Sequence, residues 1–129
     1  MASIFTRIIR GEIPCHKLAE DDHYIAFLDV SPVHEGHALV VPKHEVDHLF
    51  DLEGAELDGI LAFAKEVARK IKAVVPCTRI GISVIGLEVP HAHIHLIPID
   101  ALGDMDFTRT RLKFTNEEFA ALAERIRTA

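Results

Sequence analysis

Apolar residues recur along this chain in two periods. Leu57, Ile60, Leu61, Ala64, Val67, Ala68, Ile71, Val74 and Val75 fall at helical spacing. They predict one long central helix, with Asp51 as its N-cap and Pro76 as its stop. The pattern Ile4-Phe5-x-x-Ile8-Ile9 predicts a short amphipathic helix ended by Gly11 and Pro14. Thr115-Asn116-Glu117-Glu118 is a capping box that opens a C-terminal helix running to about Arg127. The remaining apolar runs are strand-like. Cys15 to Glu20 and Tyr24 to Val30 predict a hairpin around Glu20-Asp21-Asp22-His23. His37 to Val41 predicts an apolar strand stopped by Pro42. Arg79 to Ile85 predicts another, with Ile80, Ile82 and Val84 on one face. Hairpins, one long helix and a final β pair indicate an α+β domain with an antiparallel sheet.

The last strand-like run carries the chemistry. His91, His93 and His95 occupy every second position, and Leu96, Ile97, Pro98 and Ile99 follow. On a strand all three imidazoles point to one face, while Ala92, Ile94 and Leu96 point to a core. A buried imidazole without partners costs roughly 1–3 kcal/mol, so such a row points to chemistry rather than packing. A strand of surface histidines is the plain alternative. A single-ion site of all three is disfavoured by geometry. Three same-face positions span roughly 13 Å at ~3.3 Å per residue, whereas ligands stand ~2 Å from a metal. Phosphorus chemistry fits better: the middle imidazole attacks, and its neighbours hold and neutralise the phosphoryl oxygens. The ordinary histidine pKa near ~6.5 leaves a neutral nucleophilic nitrogen at neutral pH. No metal and no cofactor are expected.

Composition narrows the partners. A chain of 129 residues, 49% hydrophobic and 26% charged, fits one domain spanning 1–129. The net charge of -6 argues against a nucleic-acid binder, which needs a basic stripe. It leaves room for one small phosphorylated ligand held by imidazoles and backbone amides. Arg7, Arg10 and Glu12 interrupt the N-terminal stretch, and no apolar run approaches membrane-spanning length. Cys15 and Cys77 have neither metal spacing nor a disulfide framework. A reduced, cytoplasmic protein without a membrane partner is the expectation.

The motifs together resemble the histidine triad (HIT) family. Its signature, His-φ-His-φ-His-φ-φ, is met by His91-Ala92-His93-Ile94-His95-Leu96-Ile97. Ile4 to Pro14, Ala26 to Pro32 and Gly36 to Lys43 are similar to the family's preceding blocks, in the right order. The nearest branch looks like the Hint-like nucleoside phosphoramidases. The resemblance implies an antiparallel sheet of about five strands and a homodimer whose sheets join. It also implies hydrolysis of nucleoside 5′-phosphoramidates through a nucleotidyl-histidine. His93 would be the nucleophile, His91 and His95 would flank the phosphate, and His37 matches the family's fourth site histidine. Asp29 matches the acceptor for the ribose hydroxyls, and Phe5, Ile8, Ile13, Phe27 and Val30 match the lining of the base pocket. A purine nucleotide or nucleotidyl conjugate is the implied ligand. Dinucleoside polyphosphate hydrolysis and a nucleotide-binding module with little turnover are the alternatives.

Two departures from the family pattern bear on function. Many relatives bind zinc through Cys-x-x-Cys; here those positions are Ser3 and Thr6, and Glu45 follows His44 where a further histidine is usual. His44 and His48 read as solvated residues. The usual Gly-Gln-Ser/Thr-Val-x-His is replaced by Gly86-Leu87-Glu88-Val89-Pro90-His91. Glu88 is predicted to face the leaving-group side, repelling polyphosphates and tolerating amines. Arg109 and Arg111 are the nearest cations in sequence, on a polar segment from Asp100 to Lys113 that carries no assigned role.

Overall fold

A computed structural model describes residues 2–129. Three helices, α1 (Ile4–Ile9), α2 (Gly54–Val74) and α3 (Asn116–Arg127), accompany five strands. The strands are β1 (Lys17–Glu20), β2 (Tyr24–Leu28), β3 (Ala38–Pro42), β4 (Arg79–Ser83) and β5 (Ile94–Ile99). They form one antiparallel sheet in the order β1-β2-β3-β5-β4. No helix among the described residues is long and apolar enough to cross a membrane.

Strand alternation sorts the sheet into two faces. Tyr24, Ala26 and Leu28 of β2, Ala38 and Val40 of β3, and Ile94 and Leu96 of β5 pack on α2 and α3. The helices answer with Ile60, Ala64, Val67 and Ile71 from α2, and with Phe119, Leu122, Ala123 and Ile126 from α3. On the other face Ile25, Phe27, Leu39 and Val41 pack on Phe5 of α1. Both faces of β2 and β3 are thus buried, which is why their sequences run apolar without interruption.

Ladder register then places the polar residues. Leu39 pairs with His95, and Phe27 with Leu39, so His95 shares the α1 face. The Asp29 amide donates to the His37 carbonyl at 2.9 Å, extending the β2–β3 ladder by one rung. Asp29 and His37 therefore join that same face. Just before His37, Gly36 takes φ +88°, and a Cβ there would lie 3.0 Å from the Val75 side chain. Only glycine satisfies both the torsion and the close approach.

Two sequence expectations need correction. The histidine row does not lie on one strand: β5 begins at Ile94, so His91 and His93 precede it. Extending the β3–β5 register would set Ala92 opposite Pro42, which has no N–H to donate, so the ladder stops there. The Ala92 amide instead donates to the Val46 carbonyl at 2.7 Å. The long helix is not capped by Asp51, which ends a 3₁₀ turn over Leu49–Asp51; Glu53 holds the N-cap position without a side-chain bond. Leu57 and Leu61 lie on the helix but outside its buried stripe, and both are exposed. The Thr115–Glu118 capping box and the end of α3 at Arg127 follow the sequence reading.

Candidate active site

On the α1 face the sheet opens into a cavity of about 460 Å³. Of the residues predicted from sequence, Phe5, Ile8, Ile13, Phe27, Asp29, Val30, Glu88, His93 and His95 all line it. His37 and His91 do not. Both are buried behind its wall, with exposures of 1% and 0%. Val30 and Glu88 stand at the exposed rim, while Phe5 and Phe27 meet edge to face at 5.7 Å in the interior.

Hydrogen-bond partners assign the tautomer of each imidazole, because a carbonyl can only accept and an amide N–H can only donate. His93 Nδ1 lies 2.7 Å from the His91 carbonyl, so Nδ1 carries the proton and donates. A neutral His93 then has its lone pair on Nε2. His91 Nε2 lies 2.8 Å from the Pro42 carbonyl and donates to it; its Nδ1 accepts from the Ser3 hydroxyl at 2.7 Å. His37 Nδ1 accepts from the Val33 amide at 3.1 Å, which puts the His37 proton on Nε2. That Nε2–H donates to His95 Nδ1 at 2.9 Å. His95 therefore carries its own proton on Nε2. No buried side-chain nitrogen or oxygen among the described residues lacks a partner. The unbonded Nε2 atoms of His93 and His95 thus reach solvent, in the cavity that both side chains line. One offers a lone pair there and the other an N–H, with ring centroids 4.9 Å apart.

Burial disfavours the charged form of His37, His91 and His95. Desolvation first, and the Arg111 charge next, push His37 down to about 3. Desolvation and its His37 neighbour push His95 down to about 3. Burial lowers His91 as well, against the pull of its bond to Pro42. Asp29 serves two directions: Oδ1 accepts from the Ser31 amide at 2.8 Å, holding the turn, and Oδ2 lies 3.6 Å from His37 Nε2. The turn role and the cavity role coexist in one carboxylate.

Two groups of side chains bear on metal binding. Asp29, His37 and His95 bring one ligand atom each within 4.8 Å of one another. A cation there would have to replace the proton that joins His37 to His95. The second group holds the positions that the family resemblance matches to a zinc-binding Cys-x-x-Cys. Ser3, Thr6, Glu45 and His91 do converge, but as a hydrogen-bonded cluster. Glu45 Oε1 accepts from the Ser3 amide at 2.8 Å and from the Thr6 hydroxyl at 2.5 Å, contacts that hold its carboxyl down to about 2. Two neutral hydroxyls stand in place of thiolates, and the His91 lone pair is taken by Ser3. This donor set does not fit a structural zinc; it ties the start of α1 to the triad by hydrogen bonds alone.

The segment after β5, left without a role by sequence, closes the cavity on one side. Phe107 packs edge to face on His95 at 4.8 Å and on His37 at 5.9 Å, and Thr108 and Arg111 join the lining. Phe107 was missed because an irregular segment has no periodicity to read; a lone aromatic within a polar stretch was the available signal. Arg109 turns away to Asp104, at 3.3 Å. His44 and His48 are solvated, as expected.

Lowered imidazole pKa values have a consequence for stability. The unfolded chain takes up protons on these histidines below about pH 6.5 while the folded chain does not until about pH 3. Within that window the unfolded state binds more protons, so stability falls as pH falls, by up to about 1.4 kcal/mol per pH unit for each such group. Urea unfolding between about pH 7 and pH 4 is expected to show this fall, and His95→Asn to make it shallower. An equal slope in the variant would assign the effect to carboxylates.

The comparisons agree with this geometry. The family model "HIT domain" matches residues 10–102. An uncharacterized HIT-like protein of Borreliella burgdorferi is 32% identical, over 95% of this chain and 94% of that protein. An adenosine 5′-monophosphoramidase of Saccharomyces cerevisiae is 39% identical, over 75% of this chain and 62% of that protein. Among solved structures, a Hit-like protein involved in cell-cycle regulation from Bartonella henselae, with unknown ligand, superposes with TM-score 0.84 at 28% identity. That superposition covers 98% of this chain and 94% of the other. Sheet order, triad and sequence matches lead to one conclusion: the chain belongs to the HIT domain family.

Proposed function

We propose that this protein is a single-domain HIT hydrolase that cleaves nucleoside 5′-phosphoramidates or related nucleotidyl compounds through a nucleotidyl-histidine. The observation that carries this reading is the pairing in one cavity of a His93 Nε2 left free by the Nδ1 bond to the His91 carbonyl with a donating His95 Nε2–H. In the first step the His93 lone pair attacks the α-phosphorus. The bond from phosphorus to the leaving nitrogen breaks, its electron pair departs with that nitrogen, and solvent at the cavity mouth protonates it. The His91 carbonyl, already accepting from Nδ1–H, stabilises the positive ring that results. His95 donates to a non-bridging oxygen throughout. In the second step water attacks phosphorus, releases a proton to solvent, and the electron pair of the P–N bond returns to Nε2.

The remainder of the cavity suits a nucleoside. Phe5, Ile8, Ile13 and Phe27 offer an apolar slot for a flat base, the purine of the family resemblance. Asp29 Oδ2 offers an acceptor to ribose hydroxyls. A named adenosine 5′-monophosphoramidase among the relatives supports the same substrate class. Polyphosphate substrates fit less well, because Glu88 stands at the rim and the lining holds a single Lys or Arg side chain among the described residues. Two free cysteines, Cys15 and Cys77, fit a reducing cytoplasm.

A second copy of the chain is the proposed partner. Strand β4 is a sheet edge, and exposed Ile82 and Val84 continue an apolar surface with Phe50, Leu57 and Leu61. Sedimentation equilibrium is expected to give the mass of two chains, and Ile82→Lys the mass of one; a wild-type mass of one chain contradicts the pairing.

The activity test follows AMP release from adenosine 5′-phosphoramidate. The intact protein is expected to turn over, and His93→Ala to lose on the order of 10³-fold or more of kcat. Acid quenching is expected to trap nucleotidyl-protein in the wild type alone. Binding of AMP without turnover or trapped intermediate would instead favour the nucleotide-binding module.

A further inference from the structure

The stretch of the cavity lining that precedes the triad in sequence is poor in phosphate-binding groups. Gly86, Leu87 and Val89 line it without a side-chain donor, and Glu88 adds a negative charge. A phosphoryl group delivered to His93 therefore needs a cation from elsewhere. Among the described residues lining the cavity, Arg111 is the one lysine or arginine.

Its placement is specific. Nη1 donates to the Ser31 carbonyl at 2.7 Å and Nη2 to the Phe107 carbonyl at 3.2 Å, so two backbone oxygens fix the fork. The guanidinium lies 5.6 Å from the centroid of the Phe107 ring, and that ring contacts His95. One aromatic ring thus separates the cation from the triad. Two of its five N–H groups are engaged, and three remain for a ligand. The facing carboxylate is Glu88, 4.0 Å from Nη2, with 86% of its side chain exposed. An ion pair so long and so exposed is weak, and a phosphate oxygen can displace it.

We infer that Arg111 is a specificity-determining residue of this site: it recognises the charged phosphoryl group of a nucleoside monophosphate unit, while Glu88 beside it turns away leaving groups that are themselves anionic. The inference rests on the nucleotide reading of the cavity and names how its phosphate end is read. Arg111 binds the transferred group, and Glu88 repels a further phosphate but tolerates a neutral or cationic amine. Segment 106–111, which the sequence leaves without a role, becomes the part of the chain that sets substrate charge.

Calorimetric binding separates this inference from the proposed reaction, because it requires no turnover. The probes are AMP, adenosine and ADP. Wild-type protein is expected to bind AMP more tightly than adenosine. Arg111→Met is expected to reduce AMP affinity roughly tenfold or more with adenosine affinity unchanged, and Arg111→Lys to retain part of the preference. Glu88→Gln is expected to raise ADP affinity relative to AMP several-fold. An AMP-to-adenosine ratio unchanged in Arg111→Met overturns the inference. Loss of adenosine binding in both Arg111 variants also overturns it, by assigning Arg111 a structural role. If the affinities behave as expected but phosphoramidate is not cleaved, the hydrolase reading fails and the role of Arg111 stands.

Discussion

The site depends on hydrogen bonds between imidazoles and backbone. The His91 carbonyl takes the His93 Nδ1 proton, the Pro42 carbonyl takes the His91 Nε2 proton, and the Val33 amide occupies the His37 Nδ1 lone pair. None of these partners can reverse its role, since an amide oxygen has no proton to give and an amide N–H has no lone pair to offer. The tautomers are therefore imposed by the chain path. Through His37 the constraint passes to His95, whose free nitrogen is left as a donor. A lone pair and an N–H thus arise side by side in the cavity that both side chains line. Desolvation lowers the pKa of His37 and His95 in the same sense, disfavouring a second proton that would leave two N–H groups facing each other.

The sheet makes that chain path reproducible. β2 and β3 are buried on both faces, so a register slip of one residue would exchange the α1 face with the α2–α3 face along each strand. Asp29, His37 and His95 sit at the end of this ladder and inherit its precision. The opposite end of the site is held by side-chain hydrogen bonds instead of a ladder. Ser3, Thr6 and Glu45 attach α1, and with it Phe5, to His91 by neutral and single-charge hydrogen bonds. Phe5 in turn packs edge to face on His93 at 5.0 Å. The cluster thus connects Phe5 and the cavity wall to His91 and His93.

Much of this was legible in the residues. The alternation of His93 and His95 with Ile94 and Leu96 correctly separates a site face from a core face, although the strand starts only at Ile94. Alternation reads the direction of side chains, not where hydrogen bonding begins; Pro42 on the neighbouring strand decides that. The role of His91 behind the cavity wall was not legible, since its partners Ser3 and Pro42 are distant in sequence. Asp51 misled as a cap because a 3₁₀ turn intervenes and Gly54, at φ +57°, begins the helix later. Phe107 and Arg111 gave no periodic signal, because an irregular segment reaches the cavity only by folding back on the triad.

The central claim is that the backbone holds His93 with its proton on Nδ1 and a free lone pair on Nε2. Long-range ¹H–¹⁵N NMR of the imidazoles in the ligand-free protein at neutral pH reads that directly. The account predicts a protonated Nδ1 and an unprotonated Nε2 on His93, with the reverse on His95. A proton on His93 Nε2 would contradict it, since the cavity would then hold no nucleophile.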